Sequence, residues 1–169
     1  MQVFLSPHPD DAVLFASYLI LRVKPLVVTV THPTFQGDNG EDRVIEDYNA
    51  LRILGAPVAF LGIDEDKLTE DVLREKLQMF PNDTVFYVPE YEKDGNPHHN
   101  IVHETVRRMT DGYFKEYKTY SGWLDRTGDT EVIPTPEELE LKKKAMACYK
   151  TQIENPLTAH YFETYAEYR

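Results

Sequence analysis

The chain has 169 residues, a formal net charge of −11 and one cysteine, Cys148. That length suits one domain, expected over 1–169, with a core large enough to hold itself together; the lone cysteine excludes an internal disulfide and suits a reducing cytoplasm. The acidity disfavours a nucleic-acid partner, which needs clustered Lys and Arg, and no apolar run signals secretion or reaches membrane-spanning length.

Apolar periodicity gives strands alternating with helices, an α/β pattern without repeats. Val3 to Leu5 reads as a strand that leads through a turn into a helix from Asp11 to Val23, stopped by Pro25. Leu26 to Thr31 is a continuous, largely β-branched run, as in a strand buried on both faces. A turn-rich loop, His32 to Gly40, precedes a helix from Glu41 to Leu54, with Gly55 in the position just past its end. A strand over Pro57 to Leu61, a helix over Leu68 to Phe80 and a strand over Thr84 to Val88 follow. After the loop Glu90 to Pro97, a helix is expected from His99 to Met109, then strands near Tyr113 to Tyr120 and Glu131 to Ile133. Thr135-Pro136-Glu137-Glu138 is a helix start with Pro at its first position. In that helix Lys142-Lys143-Lys144 has acidic neighbours at helical spacing and reads as a solvated, ion-paired face.

The segment Ser6-Pro7-His8-Pro9-Asp10-Asp11-Ala12 brings an imidazole and two carboxylates to the end of the first strand. Adjacent carboxylates repel unless a proton or a cation intervenes. His8 and Asp11, separated by two residues, can be aimed at one divalent ion by a tight turn, leaving Asp10 as a proton acceptor. Helix capping accounts for one Asp and for neither the His nor the second Asp. Loops after the carboxyl ends of the first, second and fourth strands of a parallel sheet converge on one face. The last of these carries Asn96-Pro97-His98-His99-Asn100, with His103 one turn after His99, and so supplies a third ligand for a zinc-type site.

With both clusters in view, the chain resembles the PIG-L/LmbE-like family of zinc-dependent N-deacetylases. Pro7-His8-Pro9-Asp10-Asp11-Ala12-Val13-Leu14 is similar to the family's first signature, in which Glu is commoner where Ala12 stands. Arg43-Val44-Ile45-Glu46 with Ala50 and Leu54-Gly55, then Phe60-Leu61-Gly62, resemble the following helix and strand. Lys144-Ala145, Tyr149-Lys150-Thr151-Gln152 and Tyr165-Ala166-Glu167 resemble the closing helix and tail. The family's second signature, His-Pro-Asp-His, is replaced by Asn96-Pro97-His98-His99.

The resemblance implies a Rossmann-like three-layer sandwich with a mostly parallel sheet. It implies Zn²⁺, or another divalent metal, held by His8, Asp11 and His99. His103 is a competing ligand, since it shares a helix face with His99. Asp10 would be the base for water attacking an N-acetyl carbonyl, and Asn96 or His98 would support the oxyanion. Arg43 would bind a substrate hydroxyl or phosphate, or else pair with Glu46 or Asp47 on its own helix. Tyr91, Tyr120 and Trp123 offer apolar faces to a sugar ring or to packing. The implied partner is an N-acetylglucosamine-type sugar or small glycoconjugate, yielding acetate and a free amine, with homo-oligomerisation left open. The competing readings are a catalytically inactive metal- or sugar-binding relative and a different metal-assisted hydrolase, for instance of a phosphoester.

Overall fold

The computed structural model describes residues 1–33, 40–119 and 130–168. Its strands are β1 (Gln2–Ser6), β2 (Leu26–His32), β3 (Val58–Asp64), β4 (Val85–Pro89) and β5 (Lys115–Tyr117). The helices are α1 (Asp11–Val23), α2 (Gly40–Ile53), α3 (Glu70–Leu77), α4 (Pro97–Met109), α5 (Pro136–Met146) and the short α6 (Lys150–Ile153). All five described strands pair in parallel in the order β3-β2-β1-β4-β5, so β1 is central and the chain reverses direction across the sheet between β1 and β4.

Alternation along the strands builds the two outer layers, because successive side chains leave opposite faces. Phe4, Val27, Tyr87 and Tyr117 pack under α1, α2 and α5, together with Leu51, Leu54 and Tyr149. Val3, Leu5, Val28, Val30, Phe86 and Val88 pack under α3 and α4, against Leu73, Leu77, Val102 and Val106. The result is the expected three-layer α/β sandwich. Each fully buried Leu, Val or Phe contributes about 1.5–3 kcal/mol relative to exposure, so the central strands are the mechanical floor on which the loops rest.

Local signals set the helix ends. Thr135 and Glu138 form a complete capping box on α5, and the Thr69 hydroxyl accepts from the Val72 amide at 3.3 Å to start α3. Gly55 adopts φ +68°, a left-handed conformation that closes α2 as its position suggested. Two expected strands differ. Of Tyr113 to Tyr120, Lys115–Tyr117 pairs with β4, while Tyr120 lies outside the described residues, as do Trp123 and residues 34–39 of the turn-rich loop. Glu131 to Ile133 forms no strand: Glu131 makes an isolated antiparallel bridge to Tyr168, and Pro134 and the cap of α5 turn the chain away. Lys142 also departs from its expected solvated face; it is fully buried, because it shares the inner stripe of α5 with Ala145 and Met146. No helix among the described residues is long and apolar enough to cross a membrane.

Candidate active site

The turn after β1 is held on all sides. The Ser6 hydroxyl donates to the His8 carbonyl at 2.8 Å and accepts from the Ala12 amide at 3.0 Å. The Pro7 carbonyl is fixed to β2 by the Thr31 amide and hydroxyl, at 3.0 and 2.8 Å. Asp10 precedes α1 with φ 122°, and its carbonyl accepts from the Val13 and Leu14 amides at 2.9 Å each. Its side chain makes no capping bond, so the conformation is not there to cap the helix. Positive φ is rare outside glycine and persists where the surroundings enforce it. Its effect here is to give two adjacent carboxylates different partners, Arg43 for Asp10 and the histidines for Asp11.

Asp11 faces the histidines. Its Oδ2 lies 3.0 Å from His8 Nδ1, 3.1 Å from His99 Nε2 and 2.8 Å from the His8 amide that donates to it. Burial pushes the Asp11 carboxyl up, but the neighbouring His99 and His8 overcome this and hold it well below the usual carboxylate range. One ligating atom from each of His8, Asp11 and His99 lies within 4.8 Å of the others. Two imidazoles and a carboxylate are a donor set that suits a catalytic zinc with a position left open, and the residues therefore fit that metal.

Asp10 points elsewhere. Its Oδ2 accepts from Arg43 Nη2 at 3.2 Å, and the same Nη2 donates to the Pro9 carbonyl at 3.1 Å. Burial raises the Asp10 carboxyl well above its ordinary value, with Arg43 opposing and Asp11 and Asp47 reinforcing the rise. Arg43 thus joins neither of the acids expected on its own helix. Glu46 instead binds the Thr151 amide and hydroxyl, at 2.9 and 2.6 Å. Asp47 is buried between the Thr29 and Tyr149 hydroxyls, each 2.6 Å away, and burial pushes it up to about 6 despite those bonds. The Arg43 Nε is buried with no hydrogen-bond partner among the described residues.

On the opposite wall, Asn100 clasps the Glu92 backbone through both ends of its amide, at 3.0 and 2.5 Å, which folds the loop after β4 back onto α4. Asn96 caps α4, its Oδ1 accepting from the His98 amide at 2.9 Å, and it also lines the cleft. His98 sits behind His8, with its Nδ1 2.8 Å from His8 Nε2; the ring assigned by sequence to an oxyanion is spent on a neighbour. Burial lowers the His98 imidazole, and proximity to His8 adds to the effect. His103, one turn further along α4, is bonded to Glu116 of β5 at 2.8 Å. It stands outside the His8, Asp11, His99 group.

These walls enclose a cleft of about 470 Å³ lined by Asp10, Asp11, His99, Arg43 and Asn96. It also takes in residues that sequence reasoning did not assign to the site: Leu14, Thr119, Gln152, Thr158 and Tyr161. Gln152 was foreshadowed by the Thr151-Gln152 pair in the closing-helix resemblance. Thr158 and Tyr161 carry no local signal, because the fold of the C-terminal segment brings them there. Tyr91 is half exposed and outside the cleft lining, its ring centroid 5.7 Å from that of His103.

The two histidines and the acid meet where the strand order of the parallel sheet reverses, the carboxyl edge at which open α/β sheets bind ligands. The chain belongs to the PIG-L family: the family model described as GlcNAc-PI de-N-acetylase matches residues 3–110, which include both histidine clusters. A comparison with curated proteins found no match. Among solved structures, the chain is similar to a triple mutant of a deacetylase of the teicoplanin biosynthetic pathway (TM-score 0.73, 16% identity, covering 95% of this chain and 87% of that one). It is also similar to the A40926 pseudoaglycone deacetylase Dbv21 (TM-score 0.69, 17% identity, 92% and 84% covered). A third similar structure is GalB, the 4-carboxy-2-hydroxymuconate hydratase of Pseudomonas putida KT2440 (TM-score 0.68, 15% identity, 95% and 82% covered).

Proposed function

We propose that this protein is a cytoplasmic metal-dependent N-deacetylase, one domain over 1–169, that removes the acetyl group from an N-acetylglucosamine-type sugar or small glycoconjugate, giving acetate and a free amine. Membership of the PIG-L family supports amide hydrolysis. Structural likeness by itself does not choose the reaction, because the neighbours include a hydratase as well as deacetylases. The observation that carries the reading is the convergence of His8, Asp11 and His99 within 4.8 Å while Asp10, next in sequence, is turned away onto Arg43.

His8, Asp11 and His99 would hold the zinc. Bound there, zinc supplies Lewis acidity to a carbonyl and lowers the pKa of water toward ~7. With Oδ2 on Arg43, Asp10 has Oδ1 to receive a proton from the attacking water and to return it to the departing amine nitrogen. Burial strengthens it as a proton acceptor, since its carboxyl is raised well above the ordinary carboxylate value. The free amide end of Asn96 donates toward the oxygen that gains charge. His98 acts one step back, fixing the ring of His8 through the nitrogen that faces away from Asp11. Arg43 holds Asp10 and turns its remaining donors toward a substrate hydroxyl.

Acetate release from a panel of N-acetylated sugars and glycoconjugates, measured on zinc-loaded protein, tests the assignment. Stoichiometric zinc with acetate production is the expected result. Zinc without turnover on any N-acetyl substrate would favour a binding protein, and phosphatase activity with a second metal would favour a different hydrolase.

A further inference from the structure

α1 is broken at Ala16, where φ −142° and ψ 20° leave the helical region. In a regular turn the Tyr18 amide would donate to the Leu14 carbonyl, four residues back. Here the Leu14 carbonyl accepts from Lys142 Nζ at 2.8 Å, and the Tyr18 amide donates to the Glu167 carboxylate at 3.1 and 3.2 Å. The two side chains pair with each other at 2.7 Å and are 0% and 2% exposed. A cation lies on the carbonyl that the break releases, and an anion on the amide. Buried ion pairs are in general no more stabilising than apolar residues of the same volume, so the hydrogen bonds of this one define its purpose better than its charge does.

The pair reaches α1 from two separate parts of the chain. Lys142 comes from α5 and Glu167 from the C-terminal segment, which is itself tied down by the Val132 amide donating to the Glu167 carbonyl at 2.8 Å and by the Tyr18 hydroxyl donating to the Tyr165 carbonyl, also at 2.8 Å. On the amino side of the break lies the turn that builds the cleft. Leu14 lines it, and Phe15 meets the ring of His99 edge-on at 6.5 Å. Asp11 lies one turn before Leu14.

We propose that the Lys142–Glu167 pair is a positioning device for the metal site. By occupying the broken hydrogen bond at Ala16, it sets the direction of the first turn of α1 and so aims the Asp11 carboxylate between His8 and His99. This rests on the reading of His8, Asp11 and His99 as metal ligands.

The test compares wild type with Lys142→Met/Glu167→Leu, which removes both charges and lets the Leu14 carbonyl and Tyr18 amide rejoin. The primary readout is the imidazole carbon resonances of His8 and His99 in the metal-free protein; the second is zinc affinity by chelator competition. Both resonances should move in the double variant, and zinc affinity should fall roughly 10- to 100-fold, the scale of outer-partner losses. Glu167→Gln keeps an acceptor on the Tyr18 amide and should restore both values. Glu167→Asp, one methylene shorter, should shift the resonances in the same sense by less, and serves where the double variant does not fold. A lowered melting temperature with unmoved resonances would reduce the pair to ordinary stabilisation and overturn the proposal. If wild type binds no zinc, the metal reading fails while the metal-free resonances still decide this one.

Discussion

The ionic cluster at the start of α1 and the one at its break use the same kinds of group, but they are finished in different ways. At the break, Lys142 and Glu167 satisfy each other and the two backbone groups beside them, and neither has a buried side-chain atom left unpaired among the described residues. At the site, Arg43 keeps a buried Nε without a partner among the described residues, Asp10 sits at φ 122°, and its carboxyl is raised by burial. Strain and spare hydrogen-bonding capacity that a fold has no need to carry mark the place where a ligand completes the structure. Where the accounts are closed, the role is to hold.

That contrast predicts opposite responses to substitution. Asp10→Asn should lower turnover by roughly 10²- to 10⁴-fold with zinc content unchanged. It should leave the melting temperature little changed, since the amide oxygen still accepts from Arg43 while a buried carboxyl whose ionisation burial opposes is removed. Zinc loss in that variant would make Asp10 a ligand and dissolve the distinction. Lys142→Met should do the reverse to stability, costing about 3–5 kcal/mol in denaturant unfolding because Glu167 is left buried and uncompensated. A cost below that of an ordinary surface substitution would show the pair to be redundant.

Asp47 tests an intermediate case, a buried acid that is fully hydrogen-bonded yet raised to about 6 by burial. Its unfolded value is about 3.9, so between roughly pH 4 and 6 the folded protein binds the proton more tightly and stability falls as pH rises. Asp47→Asn should flatten that fall, by an amount on the order of 3 kcal/mol; equal slopes in urea titrations of the two proteins would contradict it. The smallest effect is expected where the chemistry is local: Thr135→Ala removes the capping box of α5 and should cost about 1 kcal/mol, measured by the same unfolding curves.

What could be read from the sequence follows the range of the interaction. The meeting of His8 and Asp11 was legible because strand, turn and side chains are contiguous, and the β-branched run of β2 and the cap of α5 for the same reason. His99 required the two halves of the sheet to meet at one edge, which the parallel pattern implied and the strand order provides. Lys142 was misread because its nearby acids suggested a solvated face, while its partner Glu167 lies 25 residues on and is delivered by the C-terminal segment. Asp47 was hidden in a polar helix face; a threonine within the apolar run of β2, Thr29, was the trace of its partner. The surroundings of Asn96 and His98 were least legible, because capping claims one end of Asn96 and the ring of His8 claims His98.

The most direct test of the central claim is zinc content after dialysis in wild type, His99→Ala and His103→Ala. Wild type and His103→Ala should retain stoichiometric metal, since His103 is engaged with Glu116, and His99→Ala should retain none. Zinc that survives the loss of His99, or departs with His103, would contradict the site described.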